Sequence, residues 1–229
     1  MNLENLWAEI EADQTWRTDE IRFFQNQCEI LNSDDKKDQF RRATILLLYA
    51  HFEGFCKFAF TLYIKTINQE GLKCSDANFA IAAASLDDLF KALRDPSIKS
   101  DLFRRALPDD SKLHRFARDR EFIEYSADFG NRTVVLPDAL VDTESNLKPI
   151  VLRKLLFRLG FAHDQFADIE GNIDLLLNFR NKIAHGQMKD GVSQGNYENL
   201  RDSTFEIMTT VKSNIMDALT NKIYLRQQA

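Results

Sequence analysis

Apolar residues fall into long helical runs at the two ends of the chain, and the pattern breaks up in between. Leu3, Leu6, Ile10, Trp16, Phe23, Phe24 and Ile30 recur at mostly helical spacing, which predicts a first helix over 3–31. Asn32-Ser33-Asp34-Asp35 reads as a turn that can cap the next helix. Residues 36–69 carry Phe40, Ala43, Leu47, Tyr49, Ala50, Phe55, Phe58, Ala59, Leu62 and Ile67 over a broad surface, as expected of a helix buried in a bundle. Gly54 in its middle predicts close approach of another backbone, since a helical glycine otherwise costs about 1 kcal/mol relative to alanine. All four prolines (Pro96, Pro108, Pro137, Pro149) fall in 70–149, among short helical patches near 78–94, 98–106 and 110–126 and a candidate strand at 133–136. Helical periodicity resumes at 147–160 and at 171–186, where Ile173, Leu176, Leu177 and Ile183 mark one face. A loop with Gly186, Gly191 and Gly195 then precedes a last helix over about 196–225. The expected fold class is all-α: a helical bundle with a long antiparallel helix pair. It forms one domain over 1–229, with core helices at about 3–69 and 147–225 and a mostly helical insertion at about 70–146.

Composition sharpens this in three ways. Glycine (8) and proline (4) are too scarce for a strand-rich fold, and 44% hydrophobic residues suffice for a sizeable core. A net charge of −5 gives the whole molecule no attraction for nucleic acid, so any RNA chemistry needs a local basic cleft. Cys28, Cys56 and Cys74 are odd in number and have no metal-ligand spacing, so they read as reduced thiols. The longest uninterrupted apolar runs, about six residues around 45–50 and 79–84, fall short of a bilayer span, and the acidic start lacks a signal-peptide pattern. A cytoplasmic protein without a membrane partner is expected.

The segment NFRNKIAHG (178–186) carries the candidate chemistry: Arg180, the polar Asn181, and His185. Asn181 and His185 are four residues apart and share a helix face, with Arg180 about 100° round and long enough to reach the same cleft. Gly186 reads as a helix stop, placing His185 in the last turn. There the negative end of the helix dipole favours imidazolium and Arg180 opposes it, the balance a general acid–base group needs. A second arginine–histidine pair, Arg158 and His163, lacks the polar residue after the arginine and is interrupted by Gly160. The sequence has no glycine-rich phosphate loop, no His/Cys metal cluster and no nucleophile elbow, and neither metal nor cofactor is expected.

Arginine, a polar residue and a short gap to histidine near the end of a late helix resemble the active-site motif of HEPN domains. RRATILLLYAHFEGFCKFAF (41–60) is similar to the long second helix of the HEPN branch found in bacterial toxin and defence gene pairs. The order of helix pair, insertion, motif helix and final helix fits as well. The resemblance implies a metal-independent endoribonuclease that cuts RNA by transesterification and leaves 2′,3′-cyclic phosphates. It also implies a homodimer whose two motifs line one cleft, and a cognate antitoxin or defence partner protein. Carried over, His185 is the acid–base residue, Arg180 clamps the phosphate and Asn181 orients.

Other residues carry weaker expectations. Glu53, in an otherwise apolar helix, either supports the cleft by holding Arg180 or His185, or pairs with Arg41, Arg42 or Lys57. His51 reads as a satisfied core or interface histidine. Lys182 is a candidate substrate contact. LFRRALPDDSKLHRFARDR offers Arg104, Arg105, Arg115 and Arg118 to an RNA backbone, with Phe103 and Phe116 as stacking platforms; its aspartates favour a plain solvated helix instead. A non-catalytic HEPN module that binds RNA or nucleotide or serves as a dimerisation scaffold remains open, as does an unrelated helical interaction domain.

Overall fold

The computed structural model describes residues 2–104 and 110–227. Four long helices make the frame: α1 (Leu3–Glu29), α2 (Asp34–Gln69), α7 (Glu170–Ala184) and α8 (Gln194–Thr220). Between α2 and α7 lie α3 (Phe79–Ser85), α4 (Asp87–Arg94), α5 (Ser111–Ala127) and α6 (Pro149–Arg158). Helix α2 is the hub, packing on α1, α7 and α8. At 36 residues it is roughly 54 Å long. Helix α1 runs antiparallel to it: Cys28 Sγ meets the Lys37 carbonyl near the hairpin, while Glu20 and Arg17 reach His51 and Gly54 further along.

One apolar cluster spans the molecule and runs through the middle segment, since Cys74, Ile81, Val134, Leu136 and Leu147 are buried in it with Phe52, Phe55 and Tyr63. The 70–146 insertion is therefore sewn into the bundle. Asn68 exchanges two side-chain hydrogen bonds with the Leu136 main chain, at 2.9 and 2.7 Å. The Asn78 amide N–H donates to the Tyr224 carbonyl at 2.8 Å. All three cysteines are buried and free.

Five local expectations are revised. The face that α1 buries is Leu6, Ile10, Gln14, Ile21 and Cys28, while Trp16, Phe23 and Ile30 are exposed. Bulky apolar side chains are common on surfaces, so size alone does not assign the inward face. In the described part of the 98–106 patch the regular element is a 3-10 turn, Asp101–Arg104, and the candidate strand at 133–136 reduces to one antiparallel bridge between Lys73 and Thr133. Gly54 makes room for a side chain, not a backbone: a Cβ there would stand 2.7 Å from the Arg17 guanidinium. Backbone approach occurs at Gly191, where a Cβ would meet the Asp38 carbonyl carbon at 2.7 Å. Finally, α2 is the described helix long and apolar enough to cross a membrane by length and composition (mean hydropathy 1.3), a property that uninterrupted runs hide; half of that window is buried inside the bundle.

His51 is buried as expected, with Nε2 2.7 Å from Glu20 Oε2 and its ring edge-on to Trp16. Burial pushes its pKa below the ordinary imidazole value, although Glu20 pulls the other way. At acid pH the unfolded chain therefore binds the proton more readily than the folded one. The stability this group contributes is complete above its ordinary value and is lost as pH falls through the depressed folded value. Thermal melts below pH 6.5 should show this loss in the wild type and a flatter dependence in His51→Gln.

Candidate functional site

Helix α7 buries Ile173, Leu176 and Leu177 against the core and turns Arg180 toward α2. The half-buried Arg180 guanidinium lies over the Tyr49 ring, with Cζ 5.1 Å from its centroid. Its Nη1 donates to Asn146 Oδ1 at 2.9 Å and to Asn181 Oδ1 at 2.8 Å. The other guanidinium N–H groups have no partner among the described residues, so the cation is held from one side with donors left for an anion.

Tyr49 is itself fixed. Its buried hydroxyl accepts from the Leu147 N–H at 2.8 Å, and Glu53 follows one helical turn on. Burial, reinforced by the Glu53 charge, pushes the Tyr49 pKa up to about 12, so the phenol stays protonated at neutral pH. Glu53 makes no hydrogen bond or ion pair with Arg180 or His185 among the described residues. The suggested salt bridges do not form: Arg41 pairs with Asp38, Arg42 donates to the Met188 and Lys189 carbonyls, and Lys57 is exposed.

Asn146 reaches Arg180 from the end of the insertion, just before α6. The two preceding residues, Glu144 (φ 50) and Ser145 (φ 67), both lie in the left-handed region, which costs non-glycine residues of order 1–3 kcal/mol each. This strained corner aims Asn146 at the guanidinium.

His185 is the C-terminal cap residue of α7 and is exposed. Gly186 follows at φ 67, as the helix stop requires. The chain ends the helix with its own main chain: His185 N–H donates to Asn181, Gly186 to Ile183, and Gln187 and Met188 to Lys182. Those carbonyls need no help from the imidazole, which makes no hydrogen bond among the described residues. A ring needed only to cap the helix would be pointing at them. Lys182 is exposed in the same last turn.

The loop beyond His185 is clamped to the start of α2. Val192 N–H donates to the Asp38 carbonyl at 2.9 Å, and the Val192 carbonyl accepts from Arg41 Nε at 3.1 Å.

The basic segment stands apart from this cluster. Helix α5 packs on α4 and on the 129–131 turn, near the far end of α2. From Tyr49 to Asn68 the α2 axis alone extends roughly 28 Å. Arg118 donates to the Ile98 carbonyl at 2.8 Å and so ties α5 to the preceding loop, whereas Arg115 is exposed. Arg104 ends the 3-10 turn, and Arg105 lies outside the described residues. Phe103 packs edge-on against His114, leaving Phe116 as the exposed ring. The pair Arg158 and His163 straddles the end of α6 and a left-handed Gly160, so it shares no helix. No group of three or more His, Cys, Asp or Glu among the described residues is arranged to hold a metal.

Tyr49 and Asn146 are the site residues that the sequence pattern misses. Tyr49 sits one turn before Glu53 in a helix where every aromatic reads as core; Asn146 carries no local signal at all.

No curated protein and no solved structure matches the chain. The family model described as HEPN_MAE_28990-like HEPN matches residues 6–224, which includes the insertion, and HEPN domains are generally associated with nuclease and RNA-related function. With a helical bundle, an anchored Arg180 and an unengaged His185 at the end of one helix, and a family match over nearly the whole chain, this protein belongs to the HEPN_MAE_28990-like HEPN family.

Proposed function

We propose that the chain is an endoribonuclease that cleaves RNA by transesterification, without a metal, with Arg180 and His185 as its catalytic pair. The observation that carries this is the contrast within one helical turn and a half: Arg180 is gripped by Asn146, Asn181 and Tyr49, while His185 is exposed and relieved of any capping duty. In the reaction, an imidazole takes the proton of the ribose 2′-hydroxyl, whose oxygen attacks the adjacent phosphorus. The bond to the 5′ oxygen breaks, that oxygen receives a proton, and a 2′,3′-cyclic phosphate remains. Arg180 faces the charge that grows on the non-bridging oxygens, and Lys182 is a further phosphate contact.

The single imidazole of the motif supplies one proton-transfer group, and base and acid are both needed, which favours a homodimer with both motifs in one cleft. An exposed apolar groove of about 440 Å³ formed by Phe24, Phe40, Leu46, Leu47 and Ala50 lies on the neighbouring face of α2 and offers surface for a second copy. A cytoplasmic toxin or antiphage effector, restrained by a cognate partner protein, is the setting this chemistry fits. Wild-type protein incubated with total RNA in EDTA is expected to leave fragments ending in cyclic phosphates. Intact RNA after incubation with a folded dimer would favour the non-catalytic, RNA-binding form of the domain.

A further inference from the structure

A second feature of the middle segment is absorbed neither by the bundle nor by the Arg180 cluster. Helices α3, α4 and the end of α6 enclose an open groove of about 540 Å³. Alanines of α3 form its floor, and Phe79, Phe90 and Phe157 form its walls. Phe79 is 77% exposed and Phe157 67%, although His163 meets the Phe157 ring edge-on at 6.0 Å.

Guanidinium groups surround these rings. Arg94 and Arg158 line the groove; Arg94 lies over Phe90 at 5.5 Å, and Arg226 lies over Phe79 at 4.9 Å. None of the three makes an ion pair among the described residues. The one carboxylate in the lining, Asp87, is already paired with Lys91 at 2.6 Å. In a chain with a net charge of −5, this is a local concentration of uncompensated positive charge on an aromatic surface.

Flat exposed rings next to unpaired guanidiniums make up the surface that binds unstacked bases and their phosphates. An aliphatic groove would instead favour the apolar face of a protein helix. Helix α6 links this groove to the catalytic cluster. Asn146 precedes its first turn and Phe157 lies in its last, with about 12 Å of helix rise from Pro149 to Phe157. Ile150, also exposed, is seven residues before Phe157 and so on the same face, which extends the track toward the cluster.

We infer that the α3–α4–α6 groove is a binding site for single-stranded RNA, holding the substrate strand at the opposite end of α6 from Asn146 and the Arg180 cluster. This rests on the nuclease reading for the identity of the substrate. It adds a selectivity that the catalytic pair does not provide: bases locked in a duplex cannot reach the rings, so paired RNA is a poor ligand.

The test uses full-length His185→Ala, which should retain RNA without cutting it, and a short labelled oligouridylate followed by fluorescence anisotropy. Adding Phe79→Ala and Phe157→Ala should weaken binding by about 5- to 150-fold per lost platform. Adding Arg158→Ala should lower the slope of log affinity against log salt by about 0.7. An RNA duplex should compete poorly. These positions are exposed, and an unchanged melting temperature checks each variant's fold. RNA binding that is unaffected by the phenylalanine substitutions overturns the groove and leaves the nuclease reading standing. Binding that depends on the phenylalanines, in a protein whose wild type never cuts RNA, supports the groove and defeats the nuclease. An acidic amphipathic peptide that occupies the groove and is not displaced by RNA overturns the proposal in favour of a protein partner.

Discussion

His185→Ala is expected to lower the rate of RNA cleavage by about 10²- to 10⁴-fold, the usual loss when a general acid–base group is removed. The fold should not change. The ring is exposed, the carbonyls of Asn181, Lys182 and Ile183 are satisfied by main-chain donors, and Gly186 supplies the left-handed turn. Wild type and variant should therefore melt together while their single-turnover rates separate, and that combination distinguishes a chemical role from a structural one. A variant that cuts as fast as wild type would remove His185 from the mechanism.

Arg180→Lys should be nearly as damaging as Arg180→Ala, with either substitution lowering the rate by about 10²- to 10³-fold. A lysine keeps the charge but loses the planar fork whose remaining donors stay fixed while Nη1 is held by two amide oxygens and the group lies over Tyr49. An ammonium has no fixed face to turn toward the phosphate. If lysine restored most of the activity lost in the alanine variant, charge alone would be enough, and the grip of Asn146, Asn181 and Tyr49 would be incidental. Single-turnover rates for the two variants decide between these outcomes.

The long helices are legible in the sequence because their apolar periodicity is strong, and their ends agree with the pattern to within a few residues; α2, α6 and α7 are clear examples. Arg180 and Asn181 are adjacent in sequence and are joined by a hydrogen bond, whereas His185, the cap residue at the end of the same helix, makes no side-chain contact with either among the described residues. Tyr49 and Asn146 come from segments 131 and 34 residues before Arg180, and only tertiary packing unites them. Asn146 is further hidden because its placement depends on left-handed backbone at Glu144 and Ser145, residue types that do not advertise it. The inward face of α1 is not legible from side-chain size: Trp16 and Phe23 stay outside, whereas the bundle takes Gln14, which donates to Thr209.

The clamp between the loop after α7 and the start of α2 has a consequence for how the protein opens. Arg41, Arg42 and the Asp38 carbonyl hold residues 188–192, and the same residues belong to the opening turns of the longest helix. Fraying of that helix end cannot leave the loop in place, and release of the loop frees the chain right up to Gly186. The two segments should therefore exchange their amide hydrogens as one cooperative unit, with the Val192 N–H as slow as the first protected amides of α2. The position of the imidazole then depends on the integrity of a helix terminus well over a hundred residues earlier in the chain.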